Sequence, residues 1–370
     1  MDNSKVFENQ FNQESADIKK PNMMVVGGTG VGKSSLINRV FGAQLAKAGS
    51  GEPVTRGCVR YEQPNTPIVI FDTEGYEISS DGPSNSNFTT NVVKEIKRRQ
   101  SLPLKEQIHF AWYCLSVGNH RITNYDLENL KQFTDEMHLP VAVVLTQCDT
   151  EEVDNNNNGT TSTEFRKVLA ANGFNGPIFE TCASPKDLTL DFEQLMEWSA
   201  TALTDDDMRR SFIGAQRASL PAKRAEADKI CRLFAGAASA SAGFNPLPIG
   251  DAVLIVPQQV AMAVKLAQVY GFDGLNGGVM GLLKGQIVSL AAKQLASGLL
   301  KLIPGLGQLI NAAIAGGITW ALGQSLAEIY SRAYVHLLET GEIPDWARLL
   351  SSENLAPLMT TAFDTWKSKT

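Results

Sequence analysis

The sequence lacks the cysteine pattern of a disulfide framework or of a zinc site. Its 370 residues contain five cysteines, and these are dispersed without a CxxC pair. Most of them stand in apolar runs, where cysteine behaves as a small hydrophobic residue. The polar, acidic residues 1–20 also lack the apolar run of a secretory signal, and residues 1–21 are predicted to be a flexible tail. We therefore expect free thiols and a cytoplasmic protein.

An excess of basic charge is also missing. The chain has 33 Lys and Arg against 39 Asp and Glu, a net charge of −6. Proteins that bind nucleic acid by neutralising phosphates over a broad surface are usually strongly basic. We therefore expect no nucleic-acid partner. The hydrophobic fraction of 43% is that of a folded protein, and the length suits two domains.

In the first half of the chain, short apolar runs alternate with amphipathic stretches. Parallel strands are covered on both faces, so a continuous apolar run such as VAVVL at 141–145 is typical of them. The pattern predicts an α/β domain with a mostly parallel sheet over 22–204. The predicted strands are 23–26, 58–62, 67–71, 108–115, 140–145 and 178–181, and the predicted helices are 33–41, 91–100, 124–133, 163–171 and 187–203.

The composition changes after residue 204, and an all-α C-terminal domain is predicted there. A basic helical linker at 205–240 precedes an apolar helical domain at 241–345, and 346–370 forms a tail. Within that domain, 302–323 contains no charged residue, and 22 residues could span a hydrocarbon core about 30 Å thick. One proline and five glycines interrupt this run. A buried hairpin in a soluble bundle, membrane insertion or peripheral contact, and an oligomer interface such as a homodimer all stay open.

The segment 27–34, GGTGVGKS, satisfies GxxxxGK[ST] between a predicted strand and a predicted helix. Glycines let backbone N–H groups surround a β-phosphate, and the start of the helix adds its dipole. Lys33 is predicted to bind the β- and γ-phosphate oxygens, and the Ser34 hydroxyl to bind Mg²⁺. The residues predicted to bind the nucleotide here are Gly28, Thr29, Gly30, Val31, Gly32, Lys33, Ser34 and Ser35.

A second motif, DTEG, directly follows an apolar run that ends at residue 71. An aspartate at the end of a strand can hold Mg²⁺ through water, which is the role predicted for Asp72. The Gly75 N–H can meet the γ-phosphate. The spacing of this motif from the glycine-rich loop therefore favours a nucleoside triphosphate as ligand.

Between the two motifs, residues 49–57, GSGEPVTRG, are predicted to be a flexible switch loop. Thr55 is the best candidate there for a second hydroxyl on Mg²⁺, although Ser50 and Thr66 lie nearby. The predicted metal ligands are thus Ser34, Thr55 and Asp72.

The base is predicted to be bound by two later motifs. TQCD at 146–149 stands where guanine-nucleotide-binding proteins carry [NT]KxD, and TCAS at 181–184 fits the position where a backbone N–H meets guanine O6. A carboxylate that accepts from guanine N1–H and N2–H₂ rejects adenine, which lacks this pair of donors. Gln147 stands in place of the usual lysine. Its aliphatic stem can still pack on the base, but the positive charge of the lysine is missing. The predicted base-binding residues are Thr146, Gln147, Asp149, Cys182 and Ala183.

On these motifs, residues 22–204 resemble the Era-like, translation-factor-related P-loop GTPases, and the loop GxTGxGKSS is similar to that of the septin, chloroplast-import and immunity-related branches. Residues 245–271 resemble a helical domain of unknown function found C-terminal to bacterial GTPases. The resemblance implies a GTP-binding protein that uses Mg²⁺. The residues that match the helical domain are Asn245, Pro246, Pro248, Asp251, Gln259, Met262, Tyr270 and Gly271.

Two features that promote hydrolysis in such proteins are absent. Tyr76 follows DTEG where many GTPases place a water-orienting glutamine, and Gly30 stands where potassium-activated relatives place asparagine. The catalytic residue is therefore unknown, with Glu74 and Tyr76 as the candidates, and we expect slow intrinsic hydrolysis. The basic side chains considered as donors to the transition state are Arg98, Arg99 and Arg121.

Three functions stay open. The chain could be a nucleotide-controlled switch whose helical domain contacts a membrane or a protein partner. It could instead be a ribosome-associated or RNA-binding GTPase, although the near-neutral C-terminal segment without a KH-like basic loop counts against this. The third alternative is a non-hydrolysing assembly protein that depends on GTP.

Overall fold

A computed structural model gives the structure of the chain. It describes residues 19–42, 52–55, 58–62, 68–73, 78–79, 82–83, 88–152, 159–182, 190–244, 247–248, 255–272, 309–310, 312–342 and 345–368. These residues fall into two compact units, of which one is Lys19–Ser219 and the other contains Leu220–Thr370.

A seven-stranded, mostly parallel sheet organises the first unit. Its strands are β1 (Asn22–Val26), β2 (Glu52–Thr55), β3 (Cys58–Glu62), β4 (Val69–Thr73), β7 (Phe110–Ser116), β8 (Val141–Thr146) and β9 (Ile178–Glu180), while β5 (Ile78–Ser79) and β6 (Gly82–Pro83) pair with each other. The order in the sheet is β2-β3-β4-β1-β7-β8-β9. The pairs β2–β3 and β3–β4 are antiparallel. The pairs β4–β1, β1–β7, β7–β8 and β8–β9 are parallel.

The central strands form the core of this unit. Every residue of β1, β7 and β8 is buried, as expected for parallel strands covered on both faces. The predicted parallel sheet is therefore confirmed. Strand β2 differs from the sequence prediction, which places 52–55 in a loop. Its sequence EPVT has no apolar pattern of its own, and antiparallel pairing with β3 supplies its backbone hydrogen bonds.

Six helices accompany this sheet in the described residues. They are α1 (Lys33–Phe41), α2 (Phe88–Gln100), α3 (Asn124–Lys131), α4 (Thr160–Ala171), α5 (Phe192–Thr201) and α6 (Asp206–Ala215). Helix α1 has the predicted bounds. Helix α3 starts with a capping box, in which the Thr123 and Asp126 side chains accept from each other's backbone N–H groups. The α-helical part ends two residues earlier than predicted, because 132–136 forms a π-helical turn.

The second unit is helical, as the composition predicts. Its helices are α7 (Leu220–Phe244), α8 (Ile255–Val269), α9 (Ala312–Thr340), α10 (Trp346–Leu349) and α11 (Ser352–Lys367), and β10 (Leu247–Pro248) pairs with β11 (Leu309–Ile310). Helix α8 is followed by Gly271, whose φ of 75° lies in the left-handed region that glycine adopts without strain. Most of the residues predicted to form a linker, 205–240, lie in α6 and α7.

Glycine allows α9 to approach its neighbours closely. A Cβ atom at Gly323 would lie 2.7 Å from Cys231 Sγ on α7 and 3.0 Å from Met262 Sδ on α8. The part of the uncharged run that lies in α9 therefore packs on helices of its own unit. In the parts of the chain that the structure describes, no helix combines the length and hydropathy needed to cross a membrane.

This packing predicts the effect of one added methyl group. Gly323→Ala should lower the free energy of unfolding by about 1–3 kcal/mol, because it overpacks a filled interface. The control is Gly236→Ala on α7, where an added Cβ meets no atom within 4 Å. That change should be neutral or should stabilise the protein by up to about 1 kcal/mol, since alanine favours helix. Thermal denaturation measures both, and an equal effect of the two changes would contradict the packing described.

Candidate nucleotide-binding site

Most of the predicted site residues lie at or just after the carboxyl ends of the parallel strands, at one edge of the sheet. Strand β1 lies between β4 and β7, with Val25 opposite Asp72. Strands β7 and β8 end side by side at Ser116 and Thr146. Ligands of open α/β sheets bind outside the carboxyl ends of the strands, where the order of strands reverses. The end of β1, which runs into the glycine-rich loop, is such a point.

The backbone of the glycine-rich loop needs glycine at two positions for different reasons. A Cβ atom at Gly27 would lie 2.5 Å from the Cys114 carbonyl oxygen of β7. Gly32, directly before α1, has a φ of 90°, which a side chain would strain. The close approach and the left-handed turn explain why the sequence carries glycine at both ends of this loop.

Lys33 and Asp72 place opposite charges at the loop. Lys33 Nζ donates to the carbonyl oxygens of Gly27 and Gly28, at 2.9 and 3.0 Å. Burial lowers the pKa of Lys33, and the charge of Asp72 opposes this shift. Burial raises the pKa of Asp72 to about 6, and the Lys33 charge opposes that shift. The Lys33 ammonium therefore sits buried at the loop, where phosphate oxygens could replace the two carbonyl oxygens.

The oxygen donors at this point fit Mg²⁺, which prefers carboxylates, hydroxyls and phosphate oxygens. Asp72 Oδ1 is buried and has no hydrogen-bond partner among the described residues. Ser34 is exposed in the first turn of α1. Thr55 ends β2, where it pairs with Cys58. The predicted site residues Glu74, Gly75, Tyr76 and Ala183 lie outside the described residues, and their roles stay predictions.

The predicted base-reading residues follow β8. Thr146 Oγ1 donates to the Val31 carbonyl oxygen at 2.5 Å, which ties the end of the strand to the glycine-rich loop. Asp149 is exposed in the short 3₁₀ turn Cys148–Thr150. Its carboxylate has no hydrogen bond or ion pair with any residue that the structure describes. It is therefore available to a ligand, as guanine recognition requires.

Two contacts that sequence reasoning missed support this part of the site. Arg39 Nη1 on α1 donates to the Cys182 carbonyl oxygen at 2.5 Å, and its guanidinium lies 4.1 Å from the ring centroid of Phe192. Ser116 Oγ donates to the Gln147 side chain at 2.6 Å. The available signal for Ser116 was a hydroxyl at the carboxyl end of a buried parallel strand. No sequence signal indicated the partner of Arg39.

A cavity of about 700 Å³ adjoins the loop at Gly28 and Thr29, and Arg121 also lines it. Arg121 forms no hydrogen bond or ion pair with any described residue. The other two candidate arginines, Arg98 and Arg99, both pair with Glu95 on their own helix. Of the three, Arg121 is therefore the one placed beside the glycine-rich loop.

The sheet and its glycine-rich loop define the class of protein. The first unit contains a GTP-binding P-loop GTPase domain, and a helical region follows it. Residues 22–147 match the family model described as 50S ribosome-binding GTPase, in agreement with this class.

Curated relatives match a limited part of the chain. Cell division control protein 10 of Saccharomyces cerevisiae is 28% identical over 174 residues, which cover 40% of this chain and 51% of that protein. Neuronal-specific septin-3 of Rattus norvegicus is 25% identical over 186 residues, which cover 41% of this chain and 48% of that protein. The chain thus spans about half the length of the curated relatives that it matches.

Two solved structures also align with half of the chain. The bacterial selenocysteine-specific elongation factor EF-Sec has a TM-score of 0.32 and 17% identity, over 50% of this chain and 28% of that one. A dimerization-deficient mutant of Toc33 from Arabidopsis thaliana has a TM-score of 0.32 and 15% identity, over 50% of this chain and 79% of that one.

Proposed function

We propose that this protein binds GTP and GDP together with Mg²⁺ through the glycine-rich loop and the TQCD turn. The observation that carries the proposal is the environment of Lys33, a buried ammonium held by two carbonyl oxygens of its own loop. Burying a charge is costly unless it is paired. The phosphates of a bound nucleotide supply the pairing charge, and backbone N–H groups supply the remaining donors.

Each part of the ligand has its own residues in this proposal. Residues Gly28 to Ser35 bind the phosphates, with Gly75 at the γ-phosphate. Asp149 reads the guanine N1–H and N2–H₂ donors, while Cys182 and Ala183 present backbone N–H groups to O6. Ser34, Thr55 and Asp72 would hold Mg²⁺, and the ion would supply positive charge to the β- and γ-phosphates.

We also propose that GTP is hydrolysed slowly. No water-orienting glutamine follows DTEG, so turnover by dilute protein should lie about two orders of magnitude or more below the 1 s⁻¹ at the low end for enzymes. Phosphate release measured at several protein concentrations tests this. Fast turnover that does not depend on concentration would contradict the roles assigned to these motifs.

From the position of Arg121 we expect its replacement to slow GTP turnover. Arg121 lines the cavity that adjoins the glycine-rich loop. A guanidinium there can neutralise charge in the transition state, so Arg121→Ala should lower kcat at least about tenfold and change GDP affinity little. Arg98→Ala is the control, because Arg98 is exposed and pairs with Glu95. Multiple-turnover phosphate release at saturating GTP measures kcat for both variants. Equal rates for the two would assign no catalytic role to Arg121.

The biological role that we favour is a nucleotide-controlled switch of the Era-like group. In this proposal 22–204 is the GTPase domain, 205–240 links it to the helical domain at 241–345, and that domain contacts a membrane surface or a protein partner. A ligand shifts such an equilibrium only through different affinities for two states. Contacts of the γ-phosphate would have to favour one arrangement of the domains.

Two other roles compete with the switch. The description of the matching family suggests a ribosome-associated GTPase. The other alternative, which the sequence leaves open, is a non-hydrolysing assembly protein or homodimer that depends on GTP. Cell fractionation with GDP and with a non-hydrolysable GTP analogue separates the three. Sedimentation with ribosomes supports the first alternative, and nucleotide-dependent oligomers of the purified protein support the second. Nucleotide-dependent membrane or protein association supports the switch.

A further inference from the structure

Gln147 has an unusual backbone conformation at the start of the TQCD turn. Its φ of 61° and ψ of 29° lie in the left-handed region, which is uncommon for a residue other than glycine. The Thr150 N–H and Oγ1 both donate to the Gln147 carbonyl oxygen, at 3.0 and 2.7 Å. These two hydrogen bonds therefore fix the backbone conformation from which the Gln147 side chain extends.

The Gln147 carboxamide bridges two other segments of the site. Ser116 Oγ donates to Gln147 Oε1 at 2.6 Å, and Gln147 Nε2 faces the Gly30 carbonyl oxygen at 3.4 Å. A carbonyl oxygen only accepts, so the amide must turn its NH₂ group towards Gly30. Its oxygen then needs a donor on the other side. The Ser116 hydroxyl is that donor, and it fixes the direction in which the amide points.

The surroundings of Ser116 are shaped for this bridge. Ser116 is 3% exposed and pairs in register with Thr146. A Cβ atom at position 118 would lie 2.9 Å from Gln147 Oε1, so Gly118 leaves room for the amide oxygen. Thr146 and Gln147 thus reach two consecutive carbonyl groups of the glycine-rich loop, one at 31 and one at 30.

We propose that Ser116 is a positioning residue of the nucleotide site and acts through Gln147. The pair replaces the lysine of [NT]KxD with a neutral bridge between the TQCD turn and the glycine-rich loop. An ammonium donates in every direction, whereas an amide has one accepting and one donating side and must be held in the correct orientation. The inference rests on the guanine-nucleotide binding proposed above, since the bridge joins the base and phosphate subsites of that ligand.

A double-mutant cycle on the full chain tests the bridge. Ser116→Ala should weaken GDP binding about three- to tenfold, mainly through faster dissociation, because one hydrogen bond that orders the site is lost. Gln147→Ala should weaken it at least as much. The double variant should match Gln147→Ala alone, since Ser116 has then nothing to orient. Stopped-flow dissociation of a fluorescent GDP analogue measures all four proteins, and their melting temperatures without nucleotide confirm folding.

A lysine at position 147 separates positioning from a structural role. In the Gln147→Lys background, Ser116→Ala should change GDP dissociation less than about twofold, because an ammonium needs no orienting donor. An unchanged affinity of Ser116→Ala in the wild-type background would overturn the inference. So would losses that add in the double variant, or an equal loss in the Gln147→Lys background. Failure of the wild-type protein to bind GDP would overturn the proposed function as well, so the two failures are distinguishable.

Discussion

Lys33→Ala should weaken GDP binding by about two to three orders of magnitude. Lys33 is 8% exposed, and its ammonium lies at the carbonyl oxygens of Gly27 and Gly28, where the phosphates are proposed to bind. Removing one partner of a desolvated charge pair costs about 2–5 kcal/mol, and each 1.4 kcal/mol is a factor of ten in affinity. Calorimetric titration of GDP in Mg²⁺ measures the change.

The control for this change is Lys167→Ala. Lys167 lies on α4, with 69% of its side chain exposed and a surface ion pair to Glu164. Exposed pairs contribute little, so its removal should leave GDP affinity unchanged within about twofold. Circular dichroism of both variants without nucleotide shows whether they fold. A folded Lys33→Ala protein with wild-type affinity would mean that the phosphates do not bind at this loop.

Asp149→Asn should remove most of the preference for guanine over adenine. The Asp149 carboxylate has no partner among the described residues and is proposed to accept two hydrogen bonds from the base. Hydrogen bonds to a charged group are worth about 1.5–3 kcal/mol each. An amide keeps the shape but offers one acceptor and no charge. The ratio of ADP to GDP dissociation constants should therefore fall by about tenfold or more, measured by competition against a fluorescent nucleotide.

Glu152→Gln provides the matched control, because it neutralises an exposed carboxylate further along the same segment. The nucleotide preference of that variant should equal that of the wild-type protein. If both substitutions lowered GDP binding alike, the effect would be one of general charge. If neither did, Asp149 would not read the base.

The central strands of the sheet could be predicted because all residues of such a strand lie in the same environment, the buried core. Strands β1 and β8 are apolar throughout and buried throughout, and α1 follows a loop motif that specifies where a helix starts. The predicted bounds of α1 agree with the structure for this reason. Strand β2 could not be predicted in the same way. Its four residues carry no apolar pattern, and its pairing depends on β3.

The residues of the candidate site also differ in how well the sequence predicts them. Lys33, Asp72 and Asp149 follow strands in recognisable motifs, so their types and spacing indicate their chemistry. Arg39 and Ser116 belong to no motif, and their importance depends on partners far along the chain. Arg39 contacts Cys182, and Ser116 contacts Gln147. Only the sheet order, which brings β7 beside both β1 and β8, places Ser116 in the site.

The most direct test of guanine-nucleotide binding is a calorimetric titration of the full chain with GDP, and then with ATP, in Mg²⁺ and after its removal. We expect GDP to bind at a single site more tightly when Mg²⁺ is present. ATP should bind at least about tenfold more weakly, because adenine lacks the donor pair that Asp149 accepts. Equal affinities for GDP and ATP, or no binding of GDP at all, would contradict the account.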